Sequence, residues 1–348
     1  MIDAKLSRSN RMLLAAGSMI PDVLSAAEEY RLEAQTPKPI KLAPNIIEPT
    51  LAFEPAYRRG LVSLTGAELL SKEFPPREMM LAPWLPRKGL ALLSASRGVG
   101  KTWLALNISH AAAGGGSFLR WSASRPWKVV HFDGEMDASS LKDRYAAIVA
   151  EASFDAPEGN FRIVASDMQP DGLPDLADPA SQRFYNAAIG DADLIVIDNL
   201  STICRSLREN ESDSFVGLQS WCLRQRAAGR SVLLIHHTGK NGEQRGSSKK
   251  EDVMDSSLKL RRPIGYDASQ GARFEVHFEK ARGFFGDDAA PFEARLVDGK
   301  WEVGEIDTGD VDDAIRSLKE SGASIRNIAD RVGLSKSEVA RKLKRGAS

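Results

Sequence analysis

The chain has 348 residues, long enough for one large domain with smaller additions or for two domains. Lys plus Arg and Asp plus Glu number 47 each, so a uniformly basic coat is excluded while local basic patches remain open. Two cysteines, Cys204 and Cys222, exclude a disulfide scaffold or a thiolate metal centre, and no apolar run reaches ten residues, which excludes a helical membrane span.

Residues 1–74 carry few signals. The apolar run Met12–Ala16 is short and is followed by Gly17 and Ser18, so it does not read as a secretory signal, and a reducing cytoplasm is expected. Pro37, Pro39, Pro44 and Pro49 fall in an extended stretch, which predicts an arm or linker.

From Gly89 the texture changes. Short apolar runs at Gly89–Ser94, Trp127–Asp133, Phe161–Ala165, Leu194–Asp198 and Ser231–His236 alternate with helical stretches such as Lys101–Ala113. Continuous apolar strands of this kind predict an α/β fold with a parallel sheet covered on both faces. After Ile264 the pattern becomes antiparallel: Phe274, Val276 and Phe278 alternate, and Asp298-Gly299 predicts a tight hairpin turn. This places one domain at 75–305.

Between the first strand and the first long helix lies Ala95-Ser96-Arg97-Gly98-Val99-Gly100-Lys101-Thr102, the spacing of a phosphate-binding P-loop. Gly98 and Gly100 let backbone N–H groups converge on a phosphate, Lys101 reaches the terminal phosphates and the Thr102 hydroxyl coordinates Mg²⁺. Position 95 is alanine where glycine is commoner, which is tolerable if the backbone there needs no positive φ. Asp198 closes a buried apolar strand and is expected to hold the Mg²⁺ shell. ATP and Mg²⁺ are therefore the expected ligands. Asp133 and Glu135 end the preceding core strand; Glu135 is expected to orient or deprotonate the attacking water, with Asp133 as the alternative. His236 and His237 close the fifth strand and point to opposite faces, so they are not a zinc pair, and one of them could sense the γ-phosphate.

Together, ASRGVGKT at Ala95, HFDGEM at His131, LIVID at Leu194, LLIHHTGK at Leu233 and FEKARG at Phe278 resemble the RecA-type ATPases, and within them the RepA-like hexameric replicative helicases of plasmids and prophages. The resemblance covers about residues 75–285. It implies a RecA-like core, Glu135 as catalytic base, the histidine pair as sensor, and a Lys-x-Arg motif, here Lys280 and Arg282, that reaches the neighbouring subunit's nucleotide in a ring, expected to be a hexamer. It also implies that the loop 238–251, with Lys240, Arg245, Lys249 and Lys250, lines a channel and touches single-stranded DNA. The segment with Arg205 and Arg208 is a second candidate for that contact. The sequence departs from the family at Lys249-Lys250-Glu251-Asp252-Val253-Met254-Asp255, where a small, alanine-rich segment is usual.

Residues 309–348 differ in character. Residues 321–348 carry seven Lys or Arg against two Asp or Glu. Ser324 is placed to cap a helix at Ile325–Val332, Gly333 ends it, and Ser335 starts a last helix. With a core of Ile325, Ile328, Ala329, Val332, Leu334, Val339 and Leu343, this predicts a small all-α helix-turn-helix for duplex DNA or a replication protein. The whole reads as an ATP-dependent DNA motor of the helicase type. A nucleotide-gated DNA-binding regulator without translocation is the alternative.

Overall fold

The structure, a computed structural model, describes residues 61–207, 215–238, 252–263, 266–306, 311–332, 334 and 336–345. The chain divides into two units, Met1–Glu73 and Phe74–Ser348. In the first, α1 (Gly66–Ser71) is started by a capping box in which Thr65 and Glu68 satisfy each other's backbone N–H groups.

The second unit opens with the ribbon β1 (Met79–Leu81) and β2 (Leu85–Pro86), then β3 (Leu90–Ala95) and α2 (Lys101–Gly114). A small hairpin, β4 (Ser117–Phe118) and β5 (Trp121–Ser122), precedes β6 (Val129–Asp133), α3 (Ala138–Glu151) and β7 (Phe161–Ala165). Next come α4 (Gln182–Ile189), β8 (Leu194–Asp198), α5 (Leu200–Ile203), α6 (Val216–Ala227) and β9 (Ser231–His237). β10 (Ser256–Arg261), β11 (Arg273–Ala281), β12 (Phe292–Val297) and β13 (Lys300–Gly304) follow, and α7 (Val311–Glu320), α8 (Ile325–Val332) and α9 (Lys336–Arg345) complete the chain. One nine-stranded sheet runs in the order β13-β12-β11-β10-β3-β9-β8-β6-β7. It is parallel from β10 to β7 and antiparallel from β10 to β13. The expected parallel sheet with an antiparallel extension is therefore present, and β3 lies at its centre.

The strands read as unbroken apolar runs because both faces are covered. In β3, Ala91, Leu93 and Ala95 belong to the core under α2, whereas Leu90 and Leu92 belong to the core on the opposite face. There, Tyr185 and Ile189 of α4 and Leu218, Trp221 and Cys222 of α6 pack on them. Cys204 and Cys222 are both buried and free in that core, and burial pushes the Cys222 thiol up to about 12. The run at Trp127 becomes a strand only at Val129. Trp127 instead turns into the core beneath Arg125, whose guanidinium lies 3.5 Å from the ring centroid. α2 stops where Gly115 adopts φ 70°, and the next residue is glycine because a Cβ on Gly116 would stand 2.3 Å from the Phe154 ring.

At the N-terminal pole of the parallel strands Asp255 ties several elements together. It is buried, accepts from the Leu90 N–H at 2.9 Å, and pairs with Arg77 at 3.0 Å and Arg226 at 3.4 Å. Its carbonyl accepts from the Arg282 N–H at 2.9 Å. Replacing Asp255 by alanine strands the buried Leu90 N–H, a loss of about 1–3 kcal/mol. Asp255→Asn keeps an oxygen for Leu90 and should lose less. Urea unfolding midpoints of the two variants check this.

The C-terminal helices α7, α8 and α9 pack on one another around Ile315, Ile328, Ala329, Val332 and Val339. Ser324 does cap α8, accepting from the Asn327 N–H at 3.2 Å. Ile325, expected in this core, is instead exposed: its spacing puts it on the stripe of Ile328, Ala329 and Val332, but as the first residue of α8 it stands at the end of that stripe, outside the packed core. The side of Gly333 and Ser335 lies outside the described residues.

Candidate ATPase site

The P-loop leaves the C-terminal end of β3 and opens α2 at Gly100, whose φ of 110° no ordinary side chain tolerates. Gly98 also has positive φ, at 73°. Ala95 is the last residue of β3 and is not among the positive-φ positions, so a methyl group is accommodated there. Ser96 adjoins Thr238 across the loop, with 3.2 Å between the hydroxyls. Arg97 is exposed, and Val99 is buried in the core below.

Lys101 is buried, and its Nζ donates to the carbonyls of Ser96 at 2.8 Å and Ala95 at 3.3 Å. Desolvation pushes its pKa down to about 8, against the pull of the nearby Asp198 and Glu135 carboxylates. Asp198, side by side with Asp133 on adjacent strands, is fully buried. Desolvation and then the Asp133 charge push it up to about 7, while a hydrogen bond with Thr102 and the Lys101 charge act the other way. Thr102, Lys101 and Asp198 thus converge at the start of α2, as the sequence predicts. A β-phosphate cradle of loop N–H groups, a buried ammonium and a hydroxyl bonded to an acid are the donor set that ATP with Mg²⁺ requires.

The turn after β6 separates the two acids. Asp133 turns inward and its Oδ1 accepts from the N–H groups of Glu135 at 3.0 Å and Met136 at 2.7 Å. Burial raises its pKa, against those two hydrogen bonds. Glu135 faces outward, about half exposed. Its Oε2 accepts from Asn199 Nδ2 at 2.6 Å and lies 3.4 Å from His237 Nε2. Desolvation, then the Lys101 charge, lowers the His237 pKa, with Glu135 opposing. His236, paired in register with Ser94, is buried on the other face of β9. The two histidines are therefore divided between faces, as adjacent strand residues must be.

Asn199 was not visible as a functional residue in the sequence, although a polar residue directly after the strand aspartate was the available signal. Its Oδ1 caps α5 at Ser201 N, 3.0 Å away, so the amide that reaches Glu135 is held from both ends. Arg262 is a second addition. It leaves the top of β10 beside the loop, and a Cβ on Gly98 would stand 3.5 Å from its guanidinium.

Lys280 and Arg282 are not part of this cluster. β11 runs down the sheet, and its end pairs with Ser256 and Ser257, level with Ala91 and Leu92 at the start of β3. That is about 13 Å of strand below the P-loop. Lys280 donates to the Asp252 carbonyl at 3.1 Å. Arg282 lines a cleft of about 960 Å³ with Arg77, Arg87, Lys88 and Arg226. Lys240, Arg245, Lys249 and Lys250 of the expected DNA loop lie outside the described residues, as does Arg208. Arg205 donates locally, to the carbonyls of Leu173 at 3.0 Å and Thr202 at 3.4 Å. Both bonds come from one guanidinium nitrogen, and the side chain is exposed.

A model of the AAA domain family matches residues 56–243. No match is found among curated proteins. Among solved structures, a KaiC-like protein from the hyperthermophilic archaeon Pyrococcus horikoshii OT3 is similar over 63% of this chain and 90% of that one, at 17% identity and a TM-score of 0.45. No helix among the described residues is long and apolar enough to cross a membrane.

Proposed function

This chain belongs to the AAA domain family of P-loop ATPases, and from that premise we propose that it is a ring-forming, ATP-driven DNA motor of the RepA-like helicase type. The observation that carries the ring is the separation of charges within one sheet. The phosphate loop occupies the C-terminal pole of β3, and the Arg282 cleft, rich in arginine, occupies the opposite pole. Arg282 cannot reach its own P-loop, whereas the neighbour in a head-to-tail ring of like subunits, a hexamer in the family it resembles, would present a nucleotide to it.

Bound Mg²⁺-ATP supplies the reacting phosphoryl group and neutralises its charge. The chain's own residues do the positioning. Lys101 holds the terminal phosphates, and Thr102 and Asp198 hold the metal shell. Glu135 takes the proton of the attacking water, and Asn199 fixes its carboxylate. His237, in contact with Glu135 and directly before the 238–251 loop, is suited to report the γ-phosphate to DNA, with His236 anchoring the strand behind it. Lys280 and Arg282 act on the neighbour's nucleotide. The helices of residues 311–345 serve as a helix-turn-helix for duplex DNA or a replication partner. A nucleotide-gated regulator without translocation is the second reading, favoured by the separate core of those helices.

Strand unwinding measured beside ATPase rates on single-stranded, forked and duplex DNA tests the motor. Stimulation by single strands with unwinding of forks is expected; stimulation without unwinding selects the regulator. Lys249 and Lys250 replaced together by alanine should weaken single-strand binding and lower its salt slope by roughly one unit per lost phosphate contact. Basal ATPase should survive. Removing residues 309–348 should weaken duplex recruitment and leave hydrolysis in place. Salt series of binding curves, with ATPase in parallel, read both outcomes.

A further inference from the structure

One residue at the pole opposite the P-loop places three arginines. Asp255 is 1% exposed. Its Oδ1 accepts from the Arg77 guanidinium at 3.0 Å and from that of Arg226 at 3.4 Å, while its Oδ2 is taken by the Leu90 N–H. Its main-chain carbonyl holds the N–H of Arg282. The three come from distant parts of the chain: the segment before β1, the last turn of α6 and the residue that follows β11. They meet at one place. A Cβ on Gly283 would stand 3.9 Å from the Arg77 guanidinium, so Arg77 lies against the turn that carries Arg282, and all three line the same cleft.

The charges of this cleft do not balance. Two guanidinium groups share a single carboxylate oxygen, and the Arg282 side chain has no partner among the described residues. With Arg87 and Lys88, five cations line the cleft against two carboxylates, and the second of these, Glu78, is already shared by Arg87 and Arg125. Arg77 and Arg226 each spend one nitrogen on Asp255, which leaves most N–H donors of both forks unspent. Converging forks with surplus positive charge suit an anion that offers several oxygens on adjacent centres, and arginine meets phosphate oxygens in pairs. A triphosphate is such an anion, and the cleft volume of about 960 Å³ is large enough to receive one.

We propose that Arg77 and Arg226 join Arg282 in gripping the triphosphate of the neighbouring subunit's nucleotide, with Asp255 as the positioning residue that holds all three. This rests on the ring reading and deepens it. The junction gains two contacts from elements far from the Lys280–Arg282 motif, and one buried carboxylate sets the aim of the whole group.

The test uses full-length protein and mixed rings. Arg77→Gln and Arg226→Gln should each lower ATP turnover roughly 10²-fold. Mixed with Lys101→Ala protein, each should regain activity above either partner alone, because some junctions then join an intact P-loop to an intact cleft. A residue that only braces its own subunit cannot be supplied by a neighbour, so a structural role does not produce this recovery. Arg226→Lys keeps a charge for Asp255 and loses the fork; it should fall less, recover in the same way, and serve where Arg226→Gln does not fold. Arg282→Ala mixed with Lys101→Ala runs alongside. Recovery there, without recovery of the Arg77 and Arg226 variants, overturns this proposal and leaves the shared site standing. Recovery in no mixture, with co-assembly demonstrated, overturns both. Unchanged turnover in Arg77→Gln and Arg226→Gln also overturns the proposal, whatever Arg282→Ala does.

Discussion

Replacing Glu135 with glutamine is expected to leave ATP binding near normal and to slow hydrolysis by ~10²–10⁴-fold. The amide keeps the shape of the side chain, and its oxygen can still accept from Asn199 Nδ2, so the turn after β6 should be undisturbed. What is lost is the basic oxygen. Single-turnover hydrolysis measured beside nucleotide affinity separates the two effects. Asn199→Ala should give a smaller loss, on the order of 10–100-fold, because the base remains but is no longer held. Asp133→Asn offers the contrast: its Oδ1 is committed to two backbone N–H groups, so its substitution should act through the turn. Normal turnover in Glu135→Gln together with collapse in Asp133→Asn would transfer the role of base to Asp133.

The second large effect concerns the junction between subunits. Arg282→Ala should lower turnover by ~10³-fold or more if the guanidinium completes a neighbour's site. Lys101→Ala should abolish hydrolysis by removing the cation inside the loop. Mixing the two inactive proteins is the informative experiment. In randomly mixed rings about a quarter of junctions combine an intact Lys101 with an intact Arg282 from the adjacent subunit, and activity should return above either variant alone. Demonstrated co-assembly without recovery would make Arg282 a structural residue of its own subunit.

Much of the fold was legible because the parallel strands are buried on both faces. Leu194–Asp198 and Phe161–Ala165 coincide with β8 and β7 as apolar runs bounded by polar residues. The P-loop was legible because its chemistry is local: eight consecutive residues carry the glycines, the lysine and the hydroxyl. Contacts made across the fold were not. Asn199 reaches Glu135 across 64 positions, and Asp255 reaches Arg77 across 178. Nothing in the spacing of either pair predicts a meeting that depends on strand order. The stretch before β10 departs from the pattern of the helicases that the sequence resembles, and Asp255 within it is the residue that anchors the base of β3. Ile325 misled for the opposite reason, since an apolar residue at a helix start satisfies the pattern without reaching the core.

The path of the chain on either side of β3 has a further consequence. β9 ends beside the P-loop at His237, and β10 begins at the opposite pole, at Ser256, directly after Asp255. The stretch between them is anchored at one end to a residue that touches Glu135 and at the other to the carbonyl that holds Arg282. In a closed ring, one covalent tether would then join each subunit's own fuel gauge to its grip on the next subunit's fuel. If Arg282 acts on the next subunit's nucleotide, as proposed, the timing of neighbouring sites would depend on the length of that connection. An insertion or deletion between His237 and Asp255 would desynchronise neighbours while leaving every catalytic atom in place.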